Sequence, residues 1–203
     1  MSTTEDAAPA VAPAVAAPAI ADPAPLGLAA FALTTFLLSA VNAGWAKNTS
    51  GLDWLGYALA YGGLCQLLAG MWEFKNKNVF GATAFSSYGG FWIGLAAFTL
   101  WAHAPAGTKD VGWILLAFAI FNTYMLLFAT QLNVAVFLVF LTLELTEIFL
   151  FWGILAGNST LVKVGGVVGV VTAIVAWYTS AAGVINGMKG RQVFPVGGPL
   201  FNM

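Results

Sequence analysis

The sequence predicts an all-α integral membrane protein, a bundle of six transmembrane helices. Three observations carry this reading. Of 203 residues, 60% are hydrophobic and only 7% charged, whereas a soluble domain spends about a quarter of its residues on charge. Apolar runs of the length that crosses a bilayer, about 20 residues, recur with short polar breaks between them. Every Lys and Arg falls in one of those breaks or at the end of a run, and none lies mid-membrane. Lipid is the natural solvent for most of such a surface.

The elements follow in order. Residues 1–21 are mostly Ala, Pro and Val; Pro9, Pro13 and Pro18 break any helix that Ala favours, so a disordered tail is expected. The segment lacks the basic start and continuous apolar run of a secretory signal. The six spans fill one transmembrane domain, residues 22–197. Its first span runs from Leu26 to Ala46, with Pro23 and Pro25 placed where a helix begins, and ends at the turn-rich residues 47–51. A second span, Trp54 to Trp72, stops at Glu73, which with Lys75 and Lys77 is expected to form a solvated edge. The third covers Tyr88 to Ala102, unless it begins earlier inside the Gly/Ser/Thr-rich approach of residues 81–87; a late start would leave irregular backbone there. Val111–Thr130, Val134–Gly153 and Leu161–Asn186 complete the six, and residues 198–203 form a C-terminal tail. The link Gln131–Asn133 is short enough to make the fourth and fifth spans an antiparallel pair.

An even number of spans puts both ends on one side. Lys75, Lys77, Lys189 and Arg191 then share the side of the termini, against Lys47, Lys109 and Lys163 opposite, which orients both ends to the cytoplasm of a cell membrane. Trp45, Trp54, Trp72, Trp101 and Trp113 stand near predicted ends, as an interfacial belt requires. Gly pairs four apart (Gly90/Gly94, Gly165/Gly169, Gly183/Gly187) allow close helix contact. A net charge of −1 points away from nucleic acid. One cysteine, Cys65, and one histidine, His103, make a poor inventory for a metal centre, a disulfide framework or catalysis, so no cofactor, metal or enzymatic activity is expected. His103 reads as an interfacial side chain.

With no cation at mid-membrane, an anion path here would have to rely on hydroxyl and amide donors and on helix N-termini. Thr34, Thr35, Ser86, Ser87, Asn42 and Gln66 supply such donors, although each could equally bond its own helix or tie two helices together. Glu144 and Glu147 are the only acidic residues to fall inside a span. Three apart, they are expected to share a helical face, and intramembrane carboxylates are candidates for proton coupling or for bonding at an interface.

Three segments stand in order along the chain: Asp22-Pro-Ala-Pro-Leu-Gly-Leu28 followed by Phe31 and Thr34-Thr35; Ala69-Gly-Met-Trp-Glu-Phe-Lys75 with Asn78-Val-Phe-Gly-Ala-Thr-Ala-Phe-Ser-Ser-Tyr-Gly-Gly-Phe-Trp92; and Asn186 with Gly190-Arg-Gln-Val-Phe-Pro-Val-Gly197. Together they resemble the acetate uptake transporter family, the YaaH-like succinate–acetate permeases. The first resembles the family's Asn-Pro-Ala-Pro-Leu-Gly-Leu signature, carried here by Asp22, Pro23, Pro25 and Gly27; Asp22 replaces the leading Asn, and either residue can cap a helix. The resemblance implies a six-helix protomer, a hexamer with one pore per protomer, and passage of acetate or succinate as proton symport or as an anion channel. It further implies a constriction at Phe31, Tyr88 and Leu143. The substrate partner would be a small carboxylate. Other small solutes, such as succinate or ammonia, and a membrane scaffold or sensor without flux are the competing readings.

Overall fold

The computed structural model describes residues 20–47, 49–101 and 108–201. His103 and nearly all of the 1–21 tail lie outside the described residues. Among those described, the regular elements are α1 (Ala24–Asn42), α2 (Leu55–Leu59), a π-helix (Ala60–Cys65), α3 (Gln66–Lys75), α4 (Val79–Trp101), α5 (Lys109–Ala129), α6 (Val134–Ala156) and α7 (Ser159–Lys189). The protein is all-helical over these residues. Four of the helices, α1, α5, α6 and α7, are long and apolar enough to cross a membrane.

Two further rods complete the bundle. The α2, π and α3 segments run on end to end, because Leu59, Ala60, Cys65 and Gln66 all keep right-handed helical dihedrals at the joints. The α4 helix has 23 residues, about 35 Å at 1.5 Å per residue, but Gly, Ser, Tyr and Trp dilute its hydropathy. Large apolar side chains such as Ile120, Leu127, Trp152 and Ile174 stand exposed on the outside, the inverse of a soluble surface.

Local chemistry sets the boundaries. Asn133 accepts from Val136 N–H, and Asn158 from the N–H groups of Thr160 and Leu161, so each begins a helix as an N-cap. Gly157 and Gly190 end α6 and α7 in the left-handed conformation, at φ 66° and 60°. The Ser180 hydroxyl donates to the Pro25 carbonyl at 2.6 Å, which brings the start of α1 and the end of α7 to the same end of the bundle. Beyond α7 the chain turns back. Asn186 holds Val193 and Phe194, Ala135 N–H donates to Val196 O at 2.9 Å, and Leu200 N–H to Thr130 O at 2.8 Å. The motif at residues 190–197 is thus a strap over the α5–α6 connection.

Three expectations change. The stretch 81–87 is regular helix: Asn78 caps α4 by accepting from Gly81 N–H at 3.1 Å, and small residues there fit against α3. The irregular backbone lies instead at residues 60–65, where Gly62 and Gly63 let the rod press on the Thr34 and Ile93 side chains. Glu73 is no solvated edge; it is fully buried, with Asn76 Nδ2 donating to one of its oxygens at 3.1 Å. Trp54 is also buried, its indole N–H donating to Gly51 O at 3.1 Å, whereas Trp45, Trp72, Trp101 and Trp113 are exposed as a belt requires.

Candidate functional site

The site is built where α1, α4 and α6 face one another inside the bundle. Phe31 of α1, Tyr88 of α4 and Leu143 of α6 are all buried. The rings of Phe31 and Tyr88 meet edge to face with centroids 5.9 Å apart, a favourable geometry for aromatic pairs. Phe118 and Phe121 of α5 pack on Tyr88 at 5.7 and 5.5 Å.

Two cavities flank this cluster. The first, of about 40 Å³, reaches toward Asn42 at the end of α1 and is lined by Thr35, Ser39, Trp92, Thr146 and Glu147 among apolar walls. The second, of about 20 Å³, reaches the other way, past Gln66, Phe85 and Phe140. Among the described residues, only Phe31, Tyr88 and Leu143 line both. A cavity needs about 10–15 Å³ of such space for a water, so the first has room for two or three and the second for one.

The polar atoms of the larger cavity are mostly unspent. Thr35 Oγ1, Trp92 Nε1 and Glu147 Oε2 are buried without a hydrogen-bond partner, and Gln66 Oε1 is in the same state at the smaller cavity. An unpaired buried polar atom costs about 1–3 kcal/mol, so these groups are poised for a ligand or water. One indole N–H and one hydroxyl suit a carboxylate oxygen; a carboxyl beside them can exchange a proton with it. The remaining wall, Leu38, Leu115 and Leu150, suits a methyl group.

The other sequence candidates take different places. Thr34 lies behind the cavities, bonding Ala30 O at 3.2 Å and pressing on Gly62. Ser86 and Ser87 line a groove between α4 and α5, with Ser86 also against Gly70. Asn42 lines the mouth of the larger cavity. The signature residues build the scaffold: Asp22 accepts from Ala24 N–H at 2.9 Å, Pro23 and Pro25 open α1, and Gly27 leaves space for the Phe85 ring, 2.6 Å from where a Cβ would stand. The two glutamates part. Glu147 faces the larger cavity, whereas Glu144 turns to α5, where Asn122 Nδ2 (2.6 Å) and Thr123 Oγ1 (2.9 Å) bond its oxygens.

Asn122 is the residue that sequence reasoning missed. It is fully buried, accepts from the Tyr88 hydroxyl at 2.9 Å and donates to Phe140 O at 3.0 Å. A polar amide mid-span was the available signal.

Comparison with known proteins places this geometry. The chain is 41% identical over 181 residues to acetate permease A of Emericella nidulans, covering 80% of this chain and 61% of that protein. It thus spans about three fifths of that fungal relative's length. It is 37% identical over 172 residues to the succinate-acetate/proton symporter SatP of Escherichia coli K12, covering 80% of this chain and 88% of that one. A solved structure of the bacterial acetate channel SatP superposes with a TM-score of 0.82 at 34% identity, covering 88% of this chain and 99% of that chain. The model of the GPR1/FUN34/yaaH family matches residues 4–196. An all-helical bundle with an aromatic waist and a family match over nearly its whole length leads to one conclusion: this chain belongs to the GPR1/FUN34/yaaH family.

Proposed function

We propose that this protein carries acetate and related short carboxylates across a cell membrane, with Phe31, Tyr88 and Leu143 as the narrow point of the path. The observation that carries the reading is that two cavities on opposite sides of this cluster share only those three side chains. The related permease, symporter and channel support the substrate class.

In this reading the carboxylate pauses in the larger cavity, its oxygens on Thr35 and Trp92 and its methyl on the leucine wall. No cation holds it, which favours release over capture. Glu147 exchanges a proton with the bound carboxylate and couples flux to the pH gradient. Asn42 and Gln66 stand along the path on either side of the waist. The residues 22–197 form the transport unit, with six spans: α1, the α2–α3 rod, α4, α5, α6 and α7. Both ends face the cytoplasm, and six protomers assemble, each with its own path. The open side of α4, where Gly90 and Gly94 meet no neighbouring atom, supports such packing.

Uptake of labelled acetate into proteoliposomes, with and without an imposed pH gradient, tests the reading. Saturable uptake stimulated by inward acidification of the outer solution is expected. Vesicles holding folded protein that stay as tight to acetate as empty ones would overturn it.

A further inference from the structure

We infer that Asn122 and Glu144 form a latch that holds the Tyr88 ring in place and so sets the largest carboxylate that passes. The inference rests on the proposed narrow point and adds what controls its width. Tyr88 packs against Phe31, Phe118 and Phe121, contacts that resist displacement but give the ring little direction. Direction comes from its hydroxyl, which donates to Asn122 Oδ1 at 2.9 Å.

The amide is itself locked. Asn122 Nδ2 donates to the Phe140 carbonyl at 3.0 Å and to a Glu144 oxygen at 2.6 Å. Flipping the amide would face its oxygen with two acceptors and its NH₂ with the phenol, so only one orientation satisfies all three partners. The second Glu144 oxygen accepts from Thr123 Oγ1 at 2.9 Å, which ties the carboxylate to α5 as well. Tyr88 of α4 is thereby fixed to α5 and α6 through one fully buried side chain. Nothing else in the arrangement requires an amide at position 122. A leucine there would fill the same space.

Glu144 and Asn122 are positioning residues in this scheme; neither lines either cavity. The test compares initial uptake of labelled acetate and labelled lactate into proteoliposomes. Tyr88→Phe keeps the ring and removes the tether. Its lactate-to-acetate ratio is expected to rise severalfold, up to about tenfold, the scale of one hydrogen bond. Asn122→Leu should raise the ratio as much, and the double variant no further, because both break one chain of bonds. Glu144→Gln keeps an acceptor oxygen for Asn122 and should hold the wild-type ratio, whereas Glu144→Leu should shift it. That pair separates a latch from a proton carrier, for which Gln would be the damaging change. Where Asn122→Leu fails to fold, Tyr88→Phe with the two Glu144 variants still decides. A wild-type protein that carries acetate, beside a Tyr88→Phe variant of unchanged ratio, would sink the latch alone. Multiplying effects of Tyr88→Phe and Asn122→Leu would also overturn it. A wild-type protein inert to acetate would sink the transport reading, and the latch with it.

Discussion

Glu147 presents an unpartnered carboxyl oxygen to a cavity whose other free polar atoms are a hydroxyl and an indole N–H. A glutamine in its place keeps size and polarity but cannot release a proton. Glu147→Gln should therefore abolish stimulation of acetate uptake by a pH gradient while downhill flux continues, and unchanged pH dependence in liposomes would count against a coupling role.

Helix contacts here depend on missing side chains. A Cβ on Gly89 of α4 would stand 2.7 Å from Leu67 N and 2.9 Å from Gly63 O, both backbone atoms of the neighbouring rod. Backbone cannot yield as a flexible side chain can, so Gly89→Ala should destabilise the protein by about 1–3 kcal/mol. Gly90, the next residue, meets nothing within 4 Å. Gly90→Ala should leave the protomer's thermal unfolding near wild type, and the contrast between the two variants is the check. The π-helix at residues 60–65 belongs to the same interface: Gly62 and Gly63 sit in it, and the extra residue per turn brings both against α1 and α4. Apolar length is readable for this segment, but a π-turn leaves no pattern in hydropathy. For the same reason the Gly/Ser/Thr-rich stretch before Tyr88 looked irregular and is helix. Composition records small residues; it does not record the neighbour they fit against.

For the whole molecule, the apolar surface left outside the bundle must face lipid or other copies of the chain. Six protomers are expected, so native mass spectrometry in detergent should find a particle six times the 21.2 kDa chain; a monomer that transports acetate would show that each path works unassembled. Phe31→Ala removes one wall of the waist and joins the two cavities. It should admit carboxylates bulkier than acetate without the shared-bond behaviour expected of Asn122 and Tyr88, a difference that uptake competition can measure.

Sequence by itself determined the membrane class, the four long apolar helices and the family, because hydrophobic length, charge placement and ordered motifs are properties of the chain read in one dimension. Tertiary structure alone decided which face each polar side chain takes. Thr34 and Thr35 are neighbours, yet one meets Gly62 and the other a cavity; Glu144 and Glu147 are one turn apart, yet one is bound to Asn122 and the other turns an unpartnered oxygen to the cavity. Adjacent positions on a helix point about 100° apart. What lies in those directions is supplied by other helices, which no local pattern encodes.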